Sequence, residues 1–106
     1  MTGWTREVMA RLDGAVAGDP DGGDWPAVSD TTEAAWARDR HALFESHAAL
    51  AARAVALAES ALERPVTDYR DRAAGTGLSK LLTLHGLAHH TVYHAGQIAI
   101  LKRAMA

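Results

Sequence analysis

The chain has 106 residues, 48% of them hydrophobic, and a formal net charge of −2. This length predicts one domain covering residues 1–106, and the charge pattern contains no basic block that would favour nucleic-acid binding. The absence of cysteine excludes disulfides and thiolate ligands, so any metal must be bound through nitrogen and oxygen. No segment has the pattern of a membrane span or a signal peptide, and we therefore expect a cytoplasmic protein.

The first half of the sequence predicts two helices and one loop. The first helix is expected over residues 4–17, where apolar side chains recur at helical spacing. A stretch rich in glycine, proline and aspartate at 18–30 predicts a loop, and calcium binding there is disfavoured because Asp24 stands where a calcium loop needs glycine. A capping box of Asp30 and Glu33 then opens a second helix, expected over 31–62 and about 48 Å long.

A break at 63–77, which contains proline and glycine, separates this helix from a third one expected over 78–106. The third helix is apolar on two sides, and its Gly86 and Gly96 predict a close approach by another backbone. The second helix has a single apolar face, made of Trp36, Leu43, Phe44, Leu50, Ala51, Ala54 and Ala58. We expect an all-α antiparallel helical bundle whose three unequal helices leave one groove for a partner.

Four of the six histidines lie between residues 85 and 94, on the third helix. His90 and His94 are one helical turn apart, on an apolar stripe that also carries Tyr93 and Gln97. Two imidazoles at this spacing can bind one metal ion, although each can instead form a hydrogen bond across the bundle. A zinc-protease motif is excluded, because Thr91 stands where that motif needs glutamate.

The remaining histidines point in other directions on the helical wheel. His85 and His89 lie beside Arg103 and are expected to form a polar strip. His47 lies on the apolar stripe of the second helix, where it is either a further metal ligand or a hydrogen-bonded core histidine. His41 is about 120° away from His47 and is expected to be exposed.

The segment HHTVYHAGQIAILKR, residues 89–103, resembles the C-terminal signature of the DinB-like (DinB/YfiT) metal-binding superfamily. In that signature two histidines, separated by three residues, are followed by a GQI segment. Trp4, the run DWP at 24–26 and the run EAAW at 33–36 are also similar to this family, so the resemblance covers nearly the whole chain. It implies a four-helix bundle that binds a divalent metal through three histidines, two of them His90 and His94. The sequence does not distinguish zinc, nickel, iron and manganese.

The same resemblance places the family's first helix, with its first metal histidine, before Met1. A bundle without that helix would leave apolar surface uncovered, and we therefore expect a homodimer that completes it. The third ligand would then be His47 or a side chain from the partner subunit, unless the metal site has been lost.

Members of this superfamily include thiol-dependent transferases and isomerases, in which the metal activates a small thiol. The resemblance thus implies a metalloenzyme of that type or a truncated relative, with Tyr93 and Gln97 orienting the substrate or the metal ligands. The alternative is a non-catalytic dimeric helical module of unknown, stress-related function. The sequence leaves open whether the chain is an enzyme.

Overall fold

The computed structural model describes residues 1–68 and 77–106. Part of the predicted break at 63–77 falls on residues 69–76, which lie outside the described residues. The described residues contain no strand, only isolated bridges, so the all-α prediction is confirmed, and none of their helices is long and apolar enough to cross a membrane. The helices are α1 (Thr2–Leu12), α2 (Glu33–Val55), α3 (Glu59–Leu62) and α4 (Lys80–Ala104).

Helix α1 ends earlier than the predicted range of 4–17. Gly14 adopts a left-handed φ of 96°, a conformation that glycine tolerates and that ends the helix after Leu12. The ammonium group of Lys80 donates a hydrogen bond of 2.9 Å to the carbonyl oxygen of Leu12, which satisfies one of the free acceptors at this end. The chain then becomes extended, and the N–H of Ala17 donates to the carbonyl oxygen of Thr67 at 2.7 Å.

A single helix over 31–62 is also wrong. Helix α2 stops at Val55, which is 87% exposed, so burial of this residue contributes little to extending the helix. Residues 56–58 separate α2 from the single turn of α3, and the last of them, Ala58, is in an extended conformation. Helix α2 is therefore about 35 Å long.

The N-cap of α2 is Thr32 and not the predicted Asp30. The hydroxyl oxygen of Thr32 accepts a hydrogen bond from the N–H of Ala35 at 3.2 Å. Asp30 lies two residues earlier, and its carboxylate accepts from the N–H of Thr32 at 2.9 Å. Hydrogen bonding from Thr32 lowers the pKa of the Asp30 carboxyl below its ordinary value, and Arg38 contributes in the same direction.

Helix α4 begins close to the start of the predicted range of 78–106. Its N-cap is Ser79, whose hydroxyl oxygen accepts from the N–H of Leu82 at 3.1 Å. The preceding residues are held against the segment that follows α3, because the N–H of Val66 donates to the carbonyl oxygen of Leu78 at 2.8 Å. The start of α4 is therefore fixed by both a cap and a backbone pairing.

Helix α1 is the centre of the packing. It contacts both α2 and α4, whereas no Cα atom of α2 lies within 8 Å of a Cα atom of α4. The core is small and is formed by Val8 and Leu12 of α1, Leu50 of α2 and Leu87 of α4. The two long helices thus pack against α1 separately, and a groove remains between them.

The accessible surface of the chain is large for its mass. It amounts to 7771 Å² for 11.3 kDa, whereas a monomeric protein of this mass exposes about 5,700 Å². The radius of gyration is 15.7 Å, compared with about 13 Å for a compact domain of this length. A single copy of the chain is therefore an open arrangement of helices, with about 2,000 Å² of surface beyond the ordinary amount.

The position of Leu12 at the centre of the core gives a stability prediction. Its side chain is only 1% exposed, so Leu12→Ala should lower the free energy of unfolding by about 3 kcal/mol, through lost burial and the cavity left behind. Urea denaturation monitored by circular dichroism measures this difference. Leu82→Ala is the matched control, because Leu82 is 55% exposed and should lose much less. Equal losses in the two variants would contradict this description of the core.

Candidate functional site

A cleft of about 640 Å³ lies between the start of α1, the loop that precedes α2 and the second half of α4. This volume is in the range of small-molecule sites. Polar groups from His90, His94, Gln97 and Asp24 meet aromatic and aliphatic side chains in its wall. The other lining residues are Met1, Trp4, Trp25, Pro26, Tyr93, Ile98 and Leu101.

The loop side of the cleft is anchored to α1. The carboxylate of Glu7 accepts hydrogen bonds from Arg11 Nε at 2.9 Å and from the N–H of Gly18 at 2.7 Å. Arg11 also donates to the carbonyl oxygen of Gly18 at 2.7 Å. Further along the loop, the indole N–H of Trp4 donates to the Asp24 carboxylate at 2.7 Å. These contacts position the loop beside α4, although the residues involved are far apart in sequence.

His90 and His94 face each other in this cleft. Their Nε2 atoms are 3.1 Å apart, and their ring centroids are separated by 4.5 Å at an interplanar angle of 76°. Both side chains are half-buried. The structure therefore brings together the two histidines that the sequence singles out, and their reactive ring nitrogens point at one place.

A chain of hydrogen bonds fixes the orientation of His94. Its Nδ1–H donates to Gln97 Oε1 at 2.7 Å, and Gln97 Nε2 in turn donates to the hydroxyl oxygen of Tyr93 at 3.2 Å. Because Nδ1 carries the proton, Nε2 of the neutral ring presents a lone pair. The 3.1 Å contact is then a hydrogen bond donated by Nε2–H of His90.

The distance between the Nε2 atoms of His90 and His94, and the hydrogen bond to the His94 ring, are both compatible with a divalent ion. Two imidazole nitrogens on a tetrahedral ion, each about 2.0–2.1 Å from it, are about 3.3 Å apart. The observed 3.1 Å is close to this value, so small ring movements suffice once His90 carries its proton on Nδ1. The hydrogen bond from His94 to Gln97 is the kind of outer contact that orients metal-binding histidines.

Within residues 1–68 and 77–106, no three histidine, aspartate or glutamate side chains are grouped closely enough to hold a metal ion. His90 and His94 would therefore supply only two of the donors that a three- or four-ligand site needs. The remaining positions in a three- or four-ligand site would need groups that this arrangement does not bring to the pair.

The electrostatic environment favours the neutral form of His90. Burial lowers the pKa of His90 below its ordinary value, and the His94 ring and the α-amino group of Met1 lower it further. Asp24 acts in the opposite direction but does not reverse the shift. His90 is therefore uncharged at neutral pH, the form in which an imidazole binds a metal.

Two tryptophans border the histidine pair. The ring of Trp4 lies 6.4 Å from that of His90, and the ring of Trp25 makes an edge contact with His94 at 5.9 Å. Trp25 is 81% exposed, so it forms an open wall of the cleft and is not part of the core. The DWP run at 24–26, which the sequence analysis used only as a family feature, therefore contributes directly to the site.

The candidate third ligand, His47, lies elsewhere. It lines a groove between α2 and α4 and is not part of the cleft that contains His90 and His94. Its Nδ1–H donates to the carbonyl oxygen of Leu43 at 3.0 Å. The structure therefore does not bring His47 to the histidine pair.

The other three histidines are exposed. The rings of His85 and His89 lie 6.3 Å apart on the surface of α4, as expected for a polar strip. His41 is also exposed, and its ring contacts the carboxylate of Glu45 at 3.1 Å. None of the three lines the cleft.

Asp24 and the start of α1 are parts of this site that no motif or spacing in the sequence marks as site residues. In the sequence, Asp24 is a mismatch in a calcium loop and part of the DWP run, yet in the structure it contacts Trp4 and acts on His90. A signal was present, because DWP and Trp4 both belong to the quoted resemblance. Their proximity depends on the path of the loop, which local spacing does not give.

Comparison with models of known protein families, with curated proteins and with solved structures finds no match for this chain.

The hydrogen bond between His94 and Gln97 can be tested by nuclear magnetic resonance. In the metal-free protein, His94 should be present mainly as the Nδ1–H tautomer, and Gln97→Leu should shift it towards the Nε2–H form by removing the acceptor. Nitrogen–proton correlation spectra of the histidine rings report the tautomer. Tyr93→Phe is the control, because it leaves the Gln97 oxygen in place. An unchanged His94 tautomer in Gln97→Leu would contradict the assigned chain of hydrogen bonds.

Proposed function

We propose that this chain is a DinB-like divalent-metal-binding protein in which His90 and His94 supply two of the metal ligands. The observation that carries the proposal is the opposed pair of Nε2 atoms, 3.1 Å apart in an open cleft. Its second support is the hydrogen bond that orients His94 through Gln97. The DinB-like signature at residues 89–103 agrees with both.

The substrate class we propose is a small thiol, in a transferase or isomerase reaction. A bound divalent cation lowers the pKa of a thiol and so supplies a thiolate nucleophile at neutral pH. The protein's own contribution would be to bind and orient the substrate. Gln97 and Tyr93 keep the His94 ring in position, while Trp4 and Trp25 provide apolar walls against which a substrate could pack.

The two-imidazole donor set has consequences for affinity. Two neutral nitrogen ligands without a carboxylate bind a divalent ion more weakly than a closed site of three or four protein ligands. The remaining positions are then available to a substrate, to water or to a side chain of a partner subunit. Zinc, nickel, iron and manganese all remain candidates for the ion.

Metal titration tests the proposal. Isothermal titration calorimetry with nickel chloride, on protein without a histidine tag, should give one site per chain. His90→Ala and His94→Ala should each weaken the binding by about 100-fold or more, because one imidazole remains and the loss of even an outer contact costs 10–100-fold. Quenching of tryptophan fluorescence offers an independent measurement, since Trp4 and Trp25 border the site.

The same helix provides a matched control. His85 and His89 also stand four residues apart on α4, but they are exposed and outside the cleft. His85→Ala and His89→Ala should therefore leave nickel affinity unchanged. If these two variants lost affinity as much as the His90 and His94 variants, binding would reflect histidine content, and the proposal would be wrong.

A second candidate function is a non-catalytic helical module that acts through its surface. It is favoured by the large hydrophobic side chains that a single copy exposes, among them Trp36, Phe44 and Val92. Metal content separates the two functions. Protein that stays metal-free with nickel and zinc at millimolar concentration would favour the module, whereas a site lost with His90 and His94 favours the metalloenzyme.

A further inference from the structure

A second cleft, the Gly86 cleft, lies between α1 and the first turns of α4. Its volume is about 420 Å³, which is in the range of small-molecule sites. Trp4, Asp24 and His90 line both this cleft and the one that contains His94. A molecule in the Gly86 cleft would therefore have one end beside the half-buried ring of His90.

Most of the residues that line the Gly86 cleft are apolar. Val8 of α1 and Leu87 of α4 are buried core residues that also form part of its wall. Leu78 and Leu82 line it as well, but they are 62% and 55% exposed. A small apolar molecule in this cleft would cover part of that exposed surface, and burial of apolar surface favours binding.

The buried charge in the wall of the Gly86 cleft already has its partners within the chain. Arg11 is only 9% exposed, and its guanidinium donates to the Glu7 carboxylate and to the carbonyl oxygen of Gly18. The same guanidinium lies 5.6 Å from the centre of the Trp4 ring. Since a carboxylate of the chain already compensates this charge, the cleft does not favour an anionic ligand.

The other polar side chains in the wall, apart from His90, also form hydrogen bonds. Asp24 accepts from the indole N–H of Trp4 and is exposed to solvent, which screens its charge. The hydroxyl of Thr83 is buried and donates to the carbonyl oxygen of Ser79 at 2.9 Å. An uncharged apolar molecule leaves these hydrogen bonds in place, whereas a charged one would lose water without gaining an ionic partner.

Gly86 opens the wall of this cleft four residues before His90, on the same side of α4. Glycine is unfavourable in a helix interior, yet a Cβ atom placed on Gly86 would meet nothing within 4 Å. The same is true of Gly96, so the close approach of another backbone that the sequence predicts at these glycines does not occur within one chain. The space beside Gly86 is therefore available to a bound molecule.

We propose that the Gly86 cleft binds an uncharged aromatic molecule of one or two rings, and that Gly86 sets the size that the site accepts. The ring would pack against Trp4 and the exposed leucines 78 and 82, with one substituent directed at His90. Such a molecule would lie next to the proposed metal site. Its binding does not require a metal, because the contacts that hold it are apolar.

Nuclear magnetic resonance on metal-free protein tests this site. Benzyl alcohol is the probe, and benzoate and benzylammonium carry a charge on the same ring. Benzyl alcohol should shift the methyl signals of Leu78 and Leu82 in a saturable way, together with the indole signal of Trp4. The methyl signals of Val55, which does not line the cleft, should stay in place. Each charged probe should bind about 10-fold more weakly, because its charge would be desolvated.

Either of two results would overturn the proposal at this stage. One is a set of shifts centred on residues outside the Gly86 cleft. The other is equal affinity for the three probes, since binding would then not depend on the absence of charge.

Two glycines of the same helix provide a matched pair of variants. Gly86→Leu should weaken the binding of benzyl alcohol by about 10-fold or more, because the new side chain would occupy the cleft. Gly96→Leu should leave the affinity unchanged, because Gly96 lines neither cleft and its added side chain also starts in open space. Unchanged affinity in Gly86→Leu would contradict the role assigned to Gly86.

Alanine at the same two positions separates an occupied cleft from a damaged fold. Alanine favours a helix more than glycine does, so Gly86→Ala and Gly96→Ala should each raise the Tm by a few degrees, measured by circular dichroism. Affinity for benzyl alcohol should fall in the order wild type, Gly86→Ala, Gly86→Leu. A Gly86→Ala variant with a lowered Tm would show that the fold itself needs this space, and the assignment of Gly86 would be wrong. Because the probe is added to metal-free protein, these outcomes are independent of the nickel titration.

Discussion

The structure depends on one packing relationship: within the described residues, α1 lies between the two long helices and contacts both. Val8 and Leu12 of α1 form one core with Leu50 of α2 and Leu87 of α4, although no Cα atom of α2 lies within 8 Å of a Cα atom of α4. Burial of apolar surface drives folding in proportion to area, so a core with a single central helix stabilises only the sides that α1 covers. This constraint places the start of α1 against His90, and on the other side it leaves the groove that contains His47.

The two faces of α4 therefore have different chemical characters. One side carries the opposed nitrogens of His90 and His94, with an amide and a phenol that fix their orientation. Another side carries small and aliphatic residues without permanent charge. A helix that carries apolar residues on two sides is normally buried on both of them. The proposed metal site lies on the first of these sides.

Local spacing predicted the features that depend on neighbours in sequence. His90 and His94 share a side because they are four residues apart, and the same holds for Gln97 beside His94. Features that depend on tertiary contacts were not predicted correctly. The second helix was expected to continue to residue 62, but nothing packs on Val55. The hydrogen bond between Trp4 and Asp24 depends on the path of the loop, which Glu7 and Arg11 fix through Gly18. No periodic pattern in the sequence encodes this path. The apolar face of α2 was predicted from its pattern, yet the pattern cannot say which surface covers it.

Helix α4 also continues well beyond its supported part. Every residue from 98 to 106 is exposed, whereas Thr83 and Leu87 are buried against α1. Backbone amides in the final turns should consequently open by fraying, with lower free energies than those in the first turns. His90 and His94 lie between the buried first turns of α4 and its exposed final turns. A contact that prevents fraying of the last turns of α4 would also restrict the positions of the His94 ring. The conformational order of the site is therefore coupled to that of the helix terminus.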